Sequence, residues 1–268
     1  MATPHDPADF VARLGSRASV PDEVRSRWGI AEYVALSART DGIDEELHRL
    51  AYDEARTLRR TDPERVLALI TALARPPSAE LNKARLAAAA GIPATTVSPY
   101  VDLVERIGLV RALPGTRASV AKRAIGRPRM VFDDPAVARH LSGIAAADLV
   151  ELSGRRLLAP LLEGVAITAL LRQEPSSTVT HRLGHLRERN GLQVDVVVEL
   201  EDDTVYGLEI RTAAAFRPHQ FRNLEALAMR AGSRFRGGIV LNTAPAGFQY
   251  RPGLWGLPIS ALWDWETR

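Results

Sequence analysis

The sequence predicts an α/β protein of the α+β kind, a helical half followed by a mixed sheet flanked by helices. Through roughly the first 110 residues, apolar side chains recur at three- and four-residue spacing, the period of amphipathic helices. From residue 157 onward, short apolar strands alternate with turn signals and helices. Hydrophobic residues make up 46% and charged residues 25% of the 268, enough to bury a core without a disulfide or metal staple.

Residues 1–60 read as a helical N-terminal segment. ADFVARLG, AEYVALSA and DEELHRLAYDEARTLRR each carry the helical spacing, and none carries a catalytic pattern. Residues 61–142 are more specific. Asp62-Pro63 starts a helix, with Asp as N-cap and Pro at the first helical position, and Pro76-Pro77 ends it. LNKARLAAAAG is a short helix stopped at Gly91. Ile92-Pro93-Ala94 turns into TTVSPYVDLVERIG, a third helix that Thr95 or Thr96 can cap. Helix, short helix, Gly-containing turn and helix is the helix-turn-helix order. Strands at residues 109–113 and 129–132 flank a loop with Arg117, Lys122, Arg123 and Arg127, the form of a basic wing. This winged-helix-like part suits DNA, with the third helix as reader. It equally suits a protein partner, because the outer face of that helix carries Asp102 and Glu105, which repel phosphates.

Residues 143–268 form the second half, and a helical connector over residues 133–156 spans its start. LLAPLLEGVAITALLRQ is a helix with Pro160 in its first turn. STVTHRLGHLRERNG holds a strand or hairpin closed by Asn190-Gly191, a strong turn signal. LQVDVVVEL and TVYGLEIR are strands joined at Glu201-Asp202-Asp203. RPHQFRNLEALAMRAG is a helix, GGIVLNT a strand and LPISALWDW a short terminal helix. Trp255, Trp263 and Trp265 read as core or lid residues.

Glu163, Asp195, Glu209 and Arg211 are the candidate site. With a three-residue turn, Leu200 opposes Thr204 and Asp195 opposes Glu209, while Arg211 shares their face. A two- or four-residue turn would split the pair. Opposed strand carboxylates repel unless a cation joins them, and an all-oxygen site suits Mg²⁺ or Mn²⁺. The alternative is a set of ordinary ion pairs with Arg187, Arg189 or Arg211. Glu163, early in its helix, would be stabilised by the dipole in either case. His181 and His185, four apart on one strand, do not read as a zinc site, with no cysteine and no acidic spacing nearby.

An Asp followed by Glu-x-Lys on the next strand, after a helix carrying Glu, resembles the PD-(D/E)XK nuclease fold. LEGVAITALLRQ, RERNGLQVDVVVE, VYGLEIR, FRGGIVLN and LPISALW, with IGRPRMVFDDPAVARHL before them, are similar to the C-terminal region of bacterial and archaeal AAA-type ATP-binding proteins. That region combines a winged helix with an uncharacterised nuclease-like domain. The resemblance implies Asp195 and Glu209 as metal ligands, with Glu163 and the residue at 211 completing the catalytic set. In such nucleases the metal polarises the scissile phosphate and lowers the pKa of the attacking water. Two departures stand out. No GxxxxGK[ST] loop occurs, so no nucleotide is expected to bind. Arg211 replaces the lysine, and arginine keeps its proton above pH 12, so it cannot act as a base.

The net charge of +3 leans mildly toward polyanions, and Arg182, Arg187 and Arg189 add to the wing as candidate nucleic-acid contacts. Lys83 and Lys122 are the only lysines, so a Lys-to-Arg exchange carries less weight here than in most chains. The absence of cysteine excludes thiol catalysis and Cys-ligated zinc. No signal peptide is legible, and no apolar run approaches the ~18–20 residues of a membrane span, which makes the cytoplasm the default.

Overall fold

The computed structural model describes residues 9–15, 39, 41–57, 61–118, 126–149, 155–189 and 191–263. AEYVALSA, Lys122, Arg123, Asn190 and Trp265 lie outside the described residues. The helices are α1 (Phe10–Gly15), α2 (Ile43–Thr57), α3 (Pro63–Leu73), α4 (Lys83–Ala90), α5 (Val97–Arg106), α6 (Pro135–Ser142), α7 (Arg155–Gln173) and α8 (Arg222–Ala231). The strands are β1 (Val110–Leu113), β2 (Arg129–Phe132), β3 (His181–Arg187), β4 (Gln193–Leu200), β5 (Val205–Ile210), β6 (Phe235–Asn242), β7 (Phe248–Arg251) and β8 (Leu254–Pro258). The chain divides into two compact units that are not consecutive in sequence. One takes residues 32–112 and 129–165, the other residues 1–31, 113–128 and 166–268.

In the helical unit, local chemistry sets the boundaries. The Asp62 side chain accepts the Glu64 amide at 3.0 Å, and Pro63 opens α3. Asn82 caps α4 through the Arg85 amide at 3.1 Å, and Gly91 ends it at φ +63°. Thr96 stands at the N-cap of α5 but makes no side-chain cap, because its hydroxyl donates back to the Pro93 carbonyl at 3.1 Å. Val66, Leu69 and Ile70 of α3, Leu86, Ala87 and Ala90 of α4, and Val97, Val101 and Val104 of α5 are buried. β1 and β2 form a small antiparallel sheet. Asp102, Glu105 and Arg106 remain exposed on α5.

α7 differs from expectation. Arg155 and Arg156, both favourable helix residues, extend it toward its N-terminus. Pro160 therefore lies inside the helix, and Glu163 sits beyond the first turn, out of reach of the dipole argument.

The second unit is built on a mixed six-stranded sheet in the order β3-β4-β5-β6-β8-β7. β3, β4 and β5 are antiparallel, β5, β6 and β8 are parallel, and β7 returns antiparallel to β8. β8 takes the first two residues of the expected terminal helix, Leu257 and Pro258, a single helical turn, Ile259–Leu262, follows it, and β7 stands ahead of both where no strand was expected. β8 reads LWGLP, buried at every position, so it has no alternation to reveal it. Gly256 is required there, since a Cβ would meet the Phe216 ring at 2.5 Å. α8 covers one face: Leu224 and Leu227 pack with Val194, Val197, Val205 and Val240. A Cβ at Gly207 would lie 2.8 Å from both leucines. Val194 and Val197, three residues apart, share this core, so the two-residue alternation of a regular strand breaks between them. The break faces a register shift in β3 between Gly184 and Leu186.

The β4–β5 turn is held by Asp202. Its carboxyl is lowered to about 2 by the Thr204 hydroxyl, Arg236 and the Thr204 amide. A depressed carboxyl contributes stability that is fully present above its unfolded value and fades as pH falls toward about 2. Asp202→Asn should therefore unfold at lower urea than the parent at pH 6. The gap should narrow between pH 4 and about 2; a gap independent of pH contradicts this reading of the turn.

Candidate functional site

The β4–β5 register runs from Glu199 opposite Val205 to Val196 opposite Leu208, as a three-residue turn requires. One step further, Asp195 turns its carboxylate onto the neighbouring strand. Its Oδ2 accepts the Ile210 amide at 2.9 Å and Arg211 Nη1 at 2.8 Å. Arg211 Nη2 pairs with Glu209 Oε2, and Nη1 also donates to the Ile210 carbonyl at 2.6 Å. Asn223, in the first turn of α8, donates to Glu209 Oε1 at 3.3 Å. One guanidinium thus divides its two terminal nitrogens between two carboxylates.

Burial orders the three partners. Glu209 is 0% exposed, its β5 position flanked by β4 and β6. The Asp195 and Arg211 side chains are 15% and 33% exposed, so the clamp opens to water on the arginine side. A carboxylate as deep as Glu209 requires a compensating cation, because an uncompensated buried charge is among the costliest features a fold can carry. Arginine suits this role better than lysine. Its planar fork holds two acceptors in fixed directions, where an ammonium offers a point charge.

The donor set can be tested against a divalent ion. Asp195 and Glu209 each give an oxygen to Arg211, and the guanidinium supplies the positive charge the pair demands. Among the described residues, no group of three or more His, Asp or Glu side chains is placed to hold a metal. The residues do not fit a resident Mg²⁺ or Mn²⁺ while Arg211 is in place.

Glu163 belongs to the helical unit, where it pairs with Arg129, both side chains 18% exposed. His181 and His185 do not converge on a metal. His181 Nδ1 contacts the Val179 carbonyl at 2.7 Å, and His185 Nε2 contacts the Arg127 carbonyl at 2.8 Å. Arg117, Arg127, Arg182, Arg187 and Arg189 are all exposed. The loop expected as a basic wing is tied down at its described ends. Residues 113–128 belong to the same unit as the six-stranded sheet, with Thr116 N–H donating to the His185 carbonyl at 2.8 Å. Asn223 and Glu199 were not singled out in the sequence. Glu199 had a signal, a carboxylate within the apolar run VVVEL; Asn223 had none.

Two family models match the chain. Residues 32–148 match a domain of unknown function (DUF8612), and residues 159–262 match a second domain of unknown function (DUF4143). The second is found in AAA-ATPase-associated proteins. The curated proteins and the solved structures give no match.

Removing Arg211 strands two carboxylates, one of them fully buried. Arg211→Ala should lower stability by about 3 kcal/mol, the scale of a buried pair that loses one partner. Asp195→Ala should cost less, because Arg211 keeps Glu209. Urea unfolding of the two variants checks the order, and equal or negligible losses contradict the clamp.

Proposed function

We propose that this chain is the non-cleaving, nucleic-acid-contacting region of an AAA-ATPase-associated protein. In this reading its second half is a PD-(D/E)XK-like domain whose metal position is filled by Arg211. One observation carries it: the guanidinium pairs with both carboxylates that a nuclease of that fold would offer to a divalent ion. The exposed arginines Arg117, Arg127, Arg182, Arg187 and Arg189 support contact with phosphates, and Lys122 and Arg123 extend the set in sequence. A second reading, recognition of a basic protein by the helical unit, is favoured by the exposed Asp102 and Glu105 on α5.

Single-stranded, duplex and branched DNA should all survive incubation with the protein in Mg²⁺ or Mn²⁺. A metal-dependent product that vanishes in Asp195→Ala would overturn the non-cleaving reading.

DNA affinity should fall steeply with salt. Replacing Arg182, Arg187 and Arg189 with alanine should flatten the log–log salt slope by roughly 0.9 for each phosphate no longer neutralised. An unchanged slope in the triple variant would contradict the assignment of these residues.

A further inference from the structure

We propose that the outer edge of β3 is a composite surface for a nucleic-acid backbone. It is assembled by docking residues 114–118 and 127 onto the strand, with Gly184, His185 and Glu199 as the positioning residues. The proposal rests on the nucleic-acid reading above and names where and how contact is made.

An edge strand leaves a row of unpaired amides and carbonyls. On β3 that row is partly filled. His185 N–H donates to the Pro114 carbonyl at 2.9 Å and its carbonyl accepts Thr116 N–H at 2.8 Å, while its ring reaches the Arg127 carbonyl. His185 is 2% exposed and so holds both described ends of the loop between β1 and β2. Gly184 makes the approach sterically feasible, because a Cβ there would stand 2.8 Å from Thr116 Cα and 3.0 Å from Thr116 N. Those are backbone atoms and cannot rotate away. Glu199, 6% exposed, secures the segment from the next strand. Its Oε1 accepts the Thr116 hydroxyl, the Arg117 amide at 2.8 Å and the Ala118 amide at 3.1 Å. The Ala118 side chain is buried in the core beneath α8.

This docking sorts charge by direction. Two carboxylates of the region, Glu188 and Glu199, are buried and compensated within the fold. Glu199 is held by the docked segment, and Glu188, 6% exposed, pairs with Arg230. Glu174 accepts the Leu183 amide at 3.1 Å. The arginines turn outward: Arg117, Arg127, Arg182 and Arg187 are exposed, the Arg182 side chain at 76%. Arg117 and Arg182 flank the same buried carboxylate, since Arg182 Nη2 lies 3.5 Å from Glu199 Oε2. Exposed arginines along an edge whose Glu188 and Glu199 are buried suit phosphates better than a mixed-charge protein face.

The test uses the full chain, a fluorescein-labelled mixed-sequence DNA duplex and two variants, Glu199→Gln and Gly184→Ala. Amide hydrogen exchange reads the docking directly. The amides of residues 116–118 should be protected in the parent and exchange at least tenfold faster in both variants, with β5 and β6 unchanged. Anisotropy titrations at several salt concentrations read the surface. Both variants should bind the duplex several-fold more weakly, with a salt slope smaller by about one. The sign is decisive for Glu199→Gln, because deleting a negative charge near phosphates would otherwise tighten binding. Tighter or unchanged binding in variants whose 116–118 amides have become unprotected overturns this proposal alone. Unprotected amides at 116–118 in the parent also overturn it. Protection that disappears in the variants, with no duplex binding by the parent, overturns the nucleic-acid reading, and this surface with it.

Discussion

A glutamate with no exposure to water sits in β5, and the fold around it is arranged to make that tolerable. Hydrophobic packing alone would expel the charge or neutralise it, at a cost comparable to much of a small domain's stability. The chain answers with Arg211 two residues later, which the alternation of the strand returns toward Glu209. Asp195 on β4 then fixes the guanidinium from the other side, and Asn223 on α8 holds the remaining oxygen of Glu209. The clamp links two strands and a helix, and its position follows from one turn of three residues.

The same solution recurs in the sheet. Glu188 and Glu199 are also buried acids met by partners from distant parts of the chain, Arg230 in one case and the 116–118 backbone in the other. Burial of Glu188 and Glu199 beside the exposed Arg182 and Arg187 gives the β3 edge a positive character without a large net charge. This reconciles a chain of net charge +3 with a concentrated basic strand. Compensation by arginine also bears on chemistry. A carboxylate pair satisfied by a covalently tethered cation has little to gain from a divalent ion, whereas lysine at residue 211 would leave acceptor positions open.

Much of the frame was legible locally. Asp62 and Gly91 act through their own neighbours in sequence, so their roles at helix ends could be read from residue type. The Glu201-Asp202-Asp203 turn fixed the β4–β5 register for the same reason, and with it the proximity of Asp195 and Arg211. What the proximity accomplishes was not legible, because it depends on how deeply Glu209 is buried. Thr96 stands at a cap position but bonds backward to Pro93, a choice no propensity encodes. β8 was missed because a strand buried on both faces carries no alternation, and Gly256 makes sense only once Phe216 is seen against it. Docking of residues 114–118 onto β3 joins positions about seventy residues apart. Its one sequence signal was a lone glutamate in a run of valines.

The central claim is that Arg211 and Glu209 are energetically one unit. A double-mutant cycle in urea with Arg211→Met, Glu209→Gln and the combined variant measures it directly. If the clamp compensates the buried charge, Arg211→Met alone is strongly destabilising, the double variant recovers much of the loss, and the coupling energy falls at about 2–3 kcal/mol. A coupling near zero, with the two losses simply adding, would mean that the buried carboxylate is satisfied by something else and would contradict the account.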